Sequence, residues 1–151
     1  MSETPKQPER DVISREEDEA WFYSDIVKDH FFNPRNFLAD ESAYQDAAQG
    51  IVGSPACGDV MKVWIKVDPT TRRITEMKWK TFGCASALAS TSILSVMVTE
   101  NGGLTLDEAN KITPRDIVER LGGLPTRKIH CSVLGDQALR AAIEAWNKKA
   151  L

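Results

Sequence analysis

Cys57, Cys84 and Cys131 are the three cysteines of the chain, and each has neighbours that suit a metal ligand better than core filling. Cys57 lies in Gly53-Ser54-Pro55-Ala56-Cys57-Gly58-Asp59, Cys84 in Thr81-Phe82-Gly83-Cys84-Ala85-Ser86, and Cys131 in His130-Cys131-Ser132. Asp59 and His130 complete a set of five possible donors. Separations of 27 and 47 residues between the thiols mean that only a folded domain can bring them together. A lone cysteine is more often a small buried hydrophobe. Three in polar or glycine-rich contexts fit that description poorly.

The elements that must position these donors are read from periodicity. Phe22, Ile26, Val27 and His30 or Phe31 recur at helical spacing from Trp21, and Asn33-Pro34 ends that short amphipathic helix. A polar stretch leads into Gly50-Ile51-Val52-Gly53, after which Met61, Val63, Ile65 and Val67 alternate with Lys62, Trp64 and Lys66, the pattern of a strand with one buried face. Turn chemistry at Asp68-Pro69-Thr70-Thr71 and a second strand-like run over 74–82 predict a hairpin. Small and apolar residues over 85–99, closed by Asn101-Gly102-Gly103, predict a helix whose first turn begins at Cys84. Thr105 and Thr113-Pro114 open two shorter helices, the second stopping at Gly122-Gly123. A last helix is expected over about 132–149.

On that map Cys57 and Asp59 sit two apart in an extended loop entering a strand. Cys84 and Cys131 sit at helix N-termini, where free amides and the positive end of the dipole favour thiolate over thiol. Lys128 adds a cation near Cys131. His30 reads as structural, beside Phe31 and Phe32, with nothing near it in sequence to suggest a partner. Trp64, Trp79 and Trp146 read as packing residues.

Composition limits the alternatives. At 151 residues, 42% of them hydrophobic, the chain is long enough for one domain with a real core. An odd number of cysteines argues against a secreted disulfide framework. Residues 1–20 hold seven acidic groups against three basic ones and read as an acidic flexible tail, leaving 21–151 as a single domain. That tail has the wrong composition for a mitochondrial transit peptide, so a prokaryotic cytoplasm is the expected compartment. No apolar run approaches the roughly 20 residues that cross a bilayer, and neither membrane nor nucleic acid is an expected partner.

Taken together, Tyr23-Ser24, His30, Asn33-Pro34-Arg35-Asn36, the segment from Gly53 to Asp59, Lys80-Thr81-Phe82-Gly83-Cys84-Ala85-Ser86-Ala87 and Lys128-Ile129-His130-Cys131-Ser132 resemble the iron-sulfur cluster assembly scaffolds of the IscU/NifU N-terminal type. The resemblance implies an α+β fold with a small antiparallel three-stranded sheet packed against about five helices, SufE/NifU-like. It implies that Cys57, Cys84 and Cys131 hold a nascent [2Fe-2S] cluster or a single iron or zinc ion, with Asp59 and His130 as exchangeable ligands. A carboxylate is a harder and weaker partner than thiolate for a cluster iron, which suits a site that must let go. By the same likeness Cys131 accepts persulfide sulfur from a cysteine desulfurase with Lys128 in support, and Tyr23 is a candidate for dimerisation around a bridging cluster. Apo iron-sulfur proteins are the implied acceptors, an electron donor a further partner, and the chain a carrier rather than an enzyme.

Departures from the family pattern carry information too. Leu124-Pro125-Thr126-Arg127-Lys128 stands where many scaffolds carry Leu-Pro-Pro-Val-Lys, which puts an Hsp70-type chaperone in doubt as a partner. His130 and the 47-residue separation speak against the related SufU branch. The chain is either a stand-alone scaffold or part of a larger NifU-type protein. Two other classes compete: a zinc-bound sulfur acceptor or structural-zinc interaction module, and a cysteine hydrolase or transferase using Cys131. A core of this size should not need metal to fold, and His130, adjacent in sequence to Cys131, is an awkward base for it.

Overall fold

Alternation along Asp59–Val67 puts Met61, Val63 and Ile65 on one face, all buried, and makes this the central strand of the sheet. A computed structural model describes residues 24–54, 59–81, 85–123 and 130–150. In chain order these form α1 (Asp25–Phe32), a 3-10 turn (Glu41–Tyr44), β1 (Ala48–Ser54), β2 (Asp59–Val67), β3 (Ile74–Thr81), α2 (Ala85–Thr99), α3 (Leu106–Asn110), α4 (Pro114–Leu121) and α5 (His130–Ala150). The sheet is antiparallel in the order β1-β2-β3, the α+β arrangement expected from the sequence. None of the described helices is long and apolar enough to cross a membrane.

Local chemistry accounts for most boundaries. Thr105 and Thr113 each close a capping box, with Glu108 and Asp116 respectively returning a bond to the cap N–H, and Pro114 sits in the first turn of α4. Gly122 ends α4 in the left-handed conformation at φ 82°. Three expectations need correction. Strand β1 is a full seven-residue strand, which its two glycines hide from a pattern search. Asp59 already belongs to β2, paired with Ser54, rather than to a loop. Ile26 is 42% exposed, so α1 buries only Val27 and His30.

His30 also has a partner that its sequence neighbours do not betray. Its Nδ1 lies 2.7 Å from Ser92 Oγ on α2, and that oxygen accepts the Arg35 N–H at 2.8 Å. Burial holds the imidazole below its ordinary range, with Arg35 repulsion adding to it against the attraction of Asp29. Trp79 Nε1 donates to the Arg35 carbonyl at 2.7 Å, and Asn36 Nδ2 donates to Ser95 Oγ at 2.9 Å. The segment after α1 is thus laced to α2 and to the β3 edge. Trp79 and Trp64 are both buried, consistent with packing roles.

Helix α5 carries His130 and Cys131, so whatever fixes α5 fixes them. A Cβ built on Gly50 would stand 2.2 Å from the Ala138 carbonyl oxygen and 2.5 Å from the Ala142 nitrogen. Only glycine permits that approach of strand to helix backbone. On the far side of α5, Arg140 Nη1 donates to the Ile112 carbonyl at 3.2 Å and Nη2 to Asp136 Oδ2 at 2.6 Å. Asp136 is 1% exposed, and its Oδ1 has no partner among the described residues. Burial pushes this carboxyl above the usual carboxylate range, and the Arg140 bond only partly opposes it.

Two measurements check this anchoring. Gly50→Ala forces α5 away from β1 and should lower stability by about 1–3 kcal/mol in urea unfolding, the usual penalty of overpacking; a change near zero would mean that the helix shifts freely. For Asp136 the folded pKa lies above its unfolded value of 3.8, so the folded state binds the extra proton between the two, and the stability this gives is present below 3.8 and lost as pH rises through the folded pKa. The stability of Asp136→Asn relative to wild type should therefore increase from about pH 3.8 toward neutrality. Parallel profiles for the two proteins would refute the charge penalty.

Candidate metal centre

The donors come from segments far apart in sequence, so their convergence depends on which way each element runs. The β1–β2 hairpin closes between Ser54 and Asp59, which pair across it, and Cys57 belongs to that connection. Met61, two residues into β2, pairs with Thr81 at the end of β3, so β3 finishes at the same end of the sheet as the hairpin. Helix α2 then runs back along β3. Thr91 Oγ1 lies 3.6 Å from Met61 Sδ, while the chain after α2 returns to the start of β3 through Leu104, whose carbonyl accepts the Ile74 N–H.

Helix α5 runs the same way as α2. Its middle crosses Gly50 and its end reaches Asp46, whose carbonyl accepts a bond from Lys149 Nζ at 3.2 Å, so α5 travels from the Ser54 end of β1 to the opposite end. Gly135 of α5 faces Thr91 of α2, with a built Cβ 3.3 Å from Thr91 Oγ1. Met61, Thr81, Thr91 and Gly135 therefore lie in one layer. From that layer the chain back to Asp59 covers about 7 Å of strand. Back to Ala85 it covers about 9 Å of helix, and back to His130 about 7 Å.

The described ends that flank Cys57 in sequence (Ser54 and Asp59), those that flank Cys84 (Thr81 and Ala85) and the start of α5 at His130 thus lie at one end of the sheet. Two helix N-termini face that end, each with N–H groups that the helix itself does not pair and the positive end of its dipole. Neither helix has an acidic residue in its first turn to cancel that potential. Beneath the end, Met61, Ala87 and Thr91 are each 0% exposed. Thr91 and Thr81 satisfy their hydroxyls on the Ala87 and Val60 carbonyls at 2.8 Å, so the floor offers little to bind water. A dry floor below and positive helix ends around it suit thiolates held for a soft metal.

Cys57, Cys84, Lys128 and Tyr23 lie outside the described residues, and Asp59, His130 and Cys131 are placed by their elements, at the first residue of β2 and the first two of α5. Ser24, next to Tyr23, is bonded to the end of α4. The contacts that sequence reasoning missed are Ser24 to Leu121 and Ser92 to His30, which join residues 97 and 62 apart with no local pattern to announce them.

The chain is similar to known proteins. The family model described as NifU-like N terminal domain matches residues 22–151. A relative named nitrogen fixation protein NifU, from Azotobacter chroococcum mcd 1, is 47% identical over 131 residues, covering 87% of this chain and 40% of the relative. One from Archaeoglobus fulgidus named iron-sulfur cluster assembly scaffold protein IscU 1 is 47% identical over 127 residues, covering 84% of this chain and 78% of the relative. The chain accordingly spans about two fifths of the NifU relative's length. The crystal structure of the N-terminal part of a NifU-like protein from Brucella abortus superposes with a TM-score of 0.62 at 19% identity, over 83% of this chain and 94% of that one, and so shares the fold. A family match across that span, with relatives of nearly half-identical sequence, means that this chain belongs to the NifU-like N-terminal domain family.

Proposed function

We propose that the chain is a scaffold on which [2Fe-2S] clusters are assembled and from which they pass to apo-proteins. The observation that supports this best is that the described ends flanking the three cysteines in sequence lie at one end of the sheet, where two helices begin over a buried floor. The name of the Archaeoglobus relative points the same way. Cys57, Cys84 and Cys131 are the thiolates of the reading, with Asp59 and His130 as exchangeable ligands.

Sulfur arrives as a persulfide on a cysteine desulfurase. The Cys131 thiolate attacks the outer sulfur, a new S–S bond forms, the old one breaks, and the desulfurase cysteine leaves as thiolate. A cation at Lys128 and the start of α5 both favour the attacking thiolate. Converting two such sulfurs to sulfide takes four electrons. Two come from two ferrous ions as they become ferric and two from an external electron donor. Iron and sulfide are cargo here, and the protein returns to its starting thiolates when the cluster leaves.

Zinc at the same donors is the second occupant chemistry allows. Among the described residues Met61, Trp79, Leu94, Leu139 and Ile143 build a core large enough to hold without metal, which is why a bound ion is read as cargo rather than as a staple of the fold. Anaerobic reconstitution with ferrous iron, a cysteine desulfurase, cysteine and a thiol reductant tests the proposal by absorption and Mössbauer spectra, then by transfer to an apo-ferredoxin. A transferable [2Fe-2S] signature is expected from wild type and its loss from Cys131→Ser. A colourless protein that keeps stoichiometric zinc would reject the scaffold reading. Asp59→Ala should slow cluster loss to chelator at least several-fold, since the carboxylate is the ligand that lets go most readily; faster or unchanged decay would remove Asp59 from that role.

A further inference from the structure

Strand β2 alternates between two faces, and the face turned away from the buried Met61, Val63 and Ile65 carries Lys62, Trp64 and Lys66. Register sets Lys62 opposite Lys80 of β3, Trp64 opposite Lys78 and Lys66 opposite Glu76. Like charges directly opposite each other on one face of a sheet repel, so Lys62 and Lys80 invite an anion between them. Among the described residues Glu41 answers both, with Oε1 3.5 Å from Lys62 Nζ and Oε2 3.4 Å from Lys80 Nζ.

Glu41 holds that seat weakly. Both contacts are long, and all three side chains are partly exposed, the setting in which an ion pair contributes least. Glu41 opens the 3-10 turn Glu41–Tyr44, none of whose residues is buried. The turn lines an open cavity of about 530 Å³ together with Gln45, Gln49, Trp64 and Lys80. There is room beside the lysines for the turn to withdraw or for another chain to enter.

The surroundings of the seat favour a partner of one kind. On this face β2 and β3 carry lysines 62, 66, 78 and 80 against a single carboxylate, Glu76, which accepts the Tyr44 hydroxyl at 2.5 Å. Lys66 lies over the Tyr44 ring, 4.4 Å from its centroid. Lys78 has no carboxylate within ion-pair distance among the described residues. Apolar surface adjoins the cations: Ile51, opposite Lys62 on β1, is 54% exposed, and Val60, one row nearer the β1–β2 hairpin, is 36% exposed.

We infer that this face docks an acidic segment of another protein, whose carboxylate takes the seat between Lys62 and Lys80 and displaces Glu41 while a neighbouring apolar side chain covers Ile51 and Val60. Charge complementarity selects that occupant, since the strands supply four cations and the chain's own carboxylate answers two of them loosely. Glu41 then competes with the partner. Removing its charge strengthens docking, whereas breaking an ion pair of purely structural value would leave docking unchanged or weaker.

The test titrates the full chain at low salt, without metal, with a synthetic peptide of Glu, Gly and Leu, followed by amide and indole NMR shifts. Shifts centred on Lys62, Trp64 and Lys80 are expected, with binding weakened by added salt. Glu41→Gln should tighten binding about threefold and Lys62→Gln or Lys80→Gln should weaken it about as much, the range of one exposed ion pair. Lys62→Arg, which keeps the charge, should stay near wild type. Unchanged or weaker binding by Glu41→Gln would overturn the inference, as would equal binding of a peptide with Gln in place of Glu, or no binding to any of these proteins. Self-association of the chain that depends on Lys62 and Lys80 would put a second copy in the seat and overturn it too.

Discussion

The contact on which the rest of the molecule depends is the approach of α5 to β1 at Gly50. No side chain stands between strand and helix there, so the Ala138 and Ala142 backbone sits directly on the sheet. That depth lets Gly135 in turn come against Thr91, placing α2 and α5 side by side with both beginning at the hairpin end. A single methyl group at position 50 would push α5, the helix that begins at His130 and Cys131, off the sheet. The alanines at 138, 141 and 142 belong to the same constraint, since larger residues would hold the backbone off by their own thickness.

Two opposing demands meet at the end of the sheet. A thiolate needs positive potential, and a transient guest needs protection from water. Helix N-termini supply the first from backbone alone, without a permanent charge that a partner protein would have to neutralise. The floor of Met61, Ala87 and Thr91 supplies the second from below. The buried serines and threonines described in α2 are reconciled with burial by bonding their own helix, α1 or the segment after it. Ser92 and Ser95 meet His30, Arg35 and Asn36. Asp136 is the exception, an unbalanced carboxylate oxygen inside α5, and it loads the helix that carries Cys131 with a free-energy penalty at neutral pH.

Much of this was legible in the chain itself. Capping residues at Thr105 and Thr113, the alternation along β2 and the turn at Asp68 gave element boundaries within a residue or two, because local chemistry decides them. Strand β1 was not legible by pattern, since Gly50 and Gly53 break the apolar alternation, and Gly50 is there for a helix 88 residues away in sequence. His30 was legible as buried but not as bonded. Its partner depends on how α1 lies across α2, which no window of sequence contains. The donor types at positions 57, 59, 84, 130 and 131 were readable as chemistry, and the direction in which α2 and α5 run, which brings the described ends beside them to one end of the sheet, was not.

The parallel start of those two helices has a consequence for how loading is reported. The first turn of any helix is its weakest, with amides unclaimed by the helix itself. On the proposed reading, a guest bound at both starts would behave as a shared cap, tightening the first turn of α2 and of α5 at once, and its departure would loosen both. A loaded and an empty molecule would then differ in the firmness of two helix ends as well as in colour. A partner touching only those ends could distinguish full from empty without ever contacting the guest.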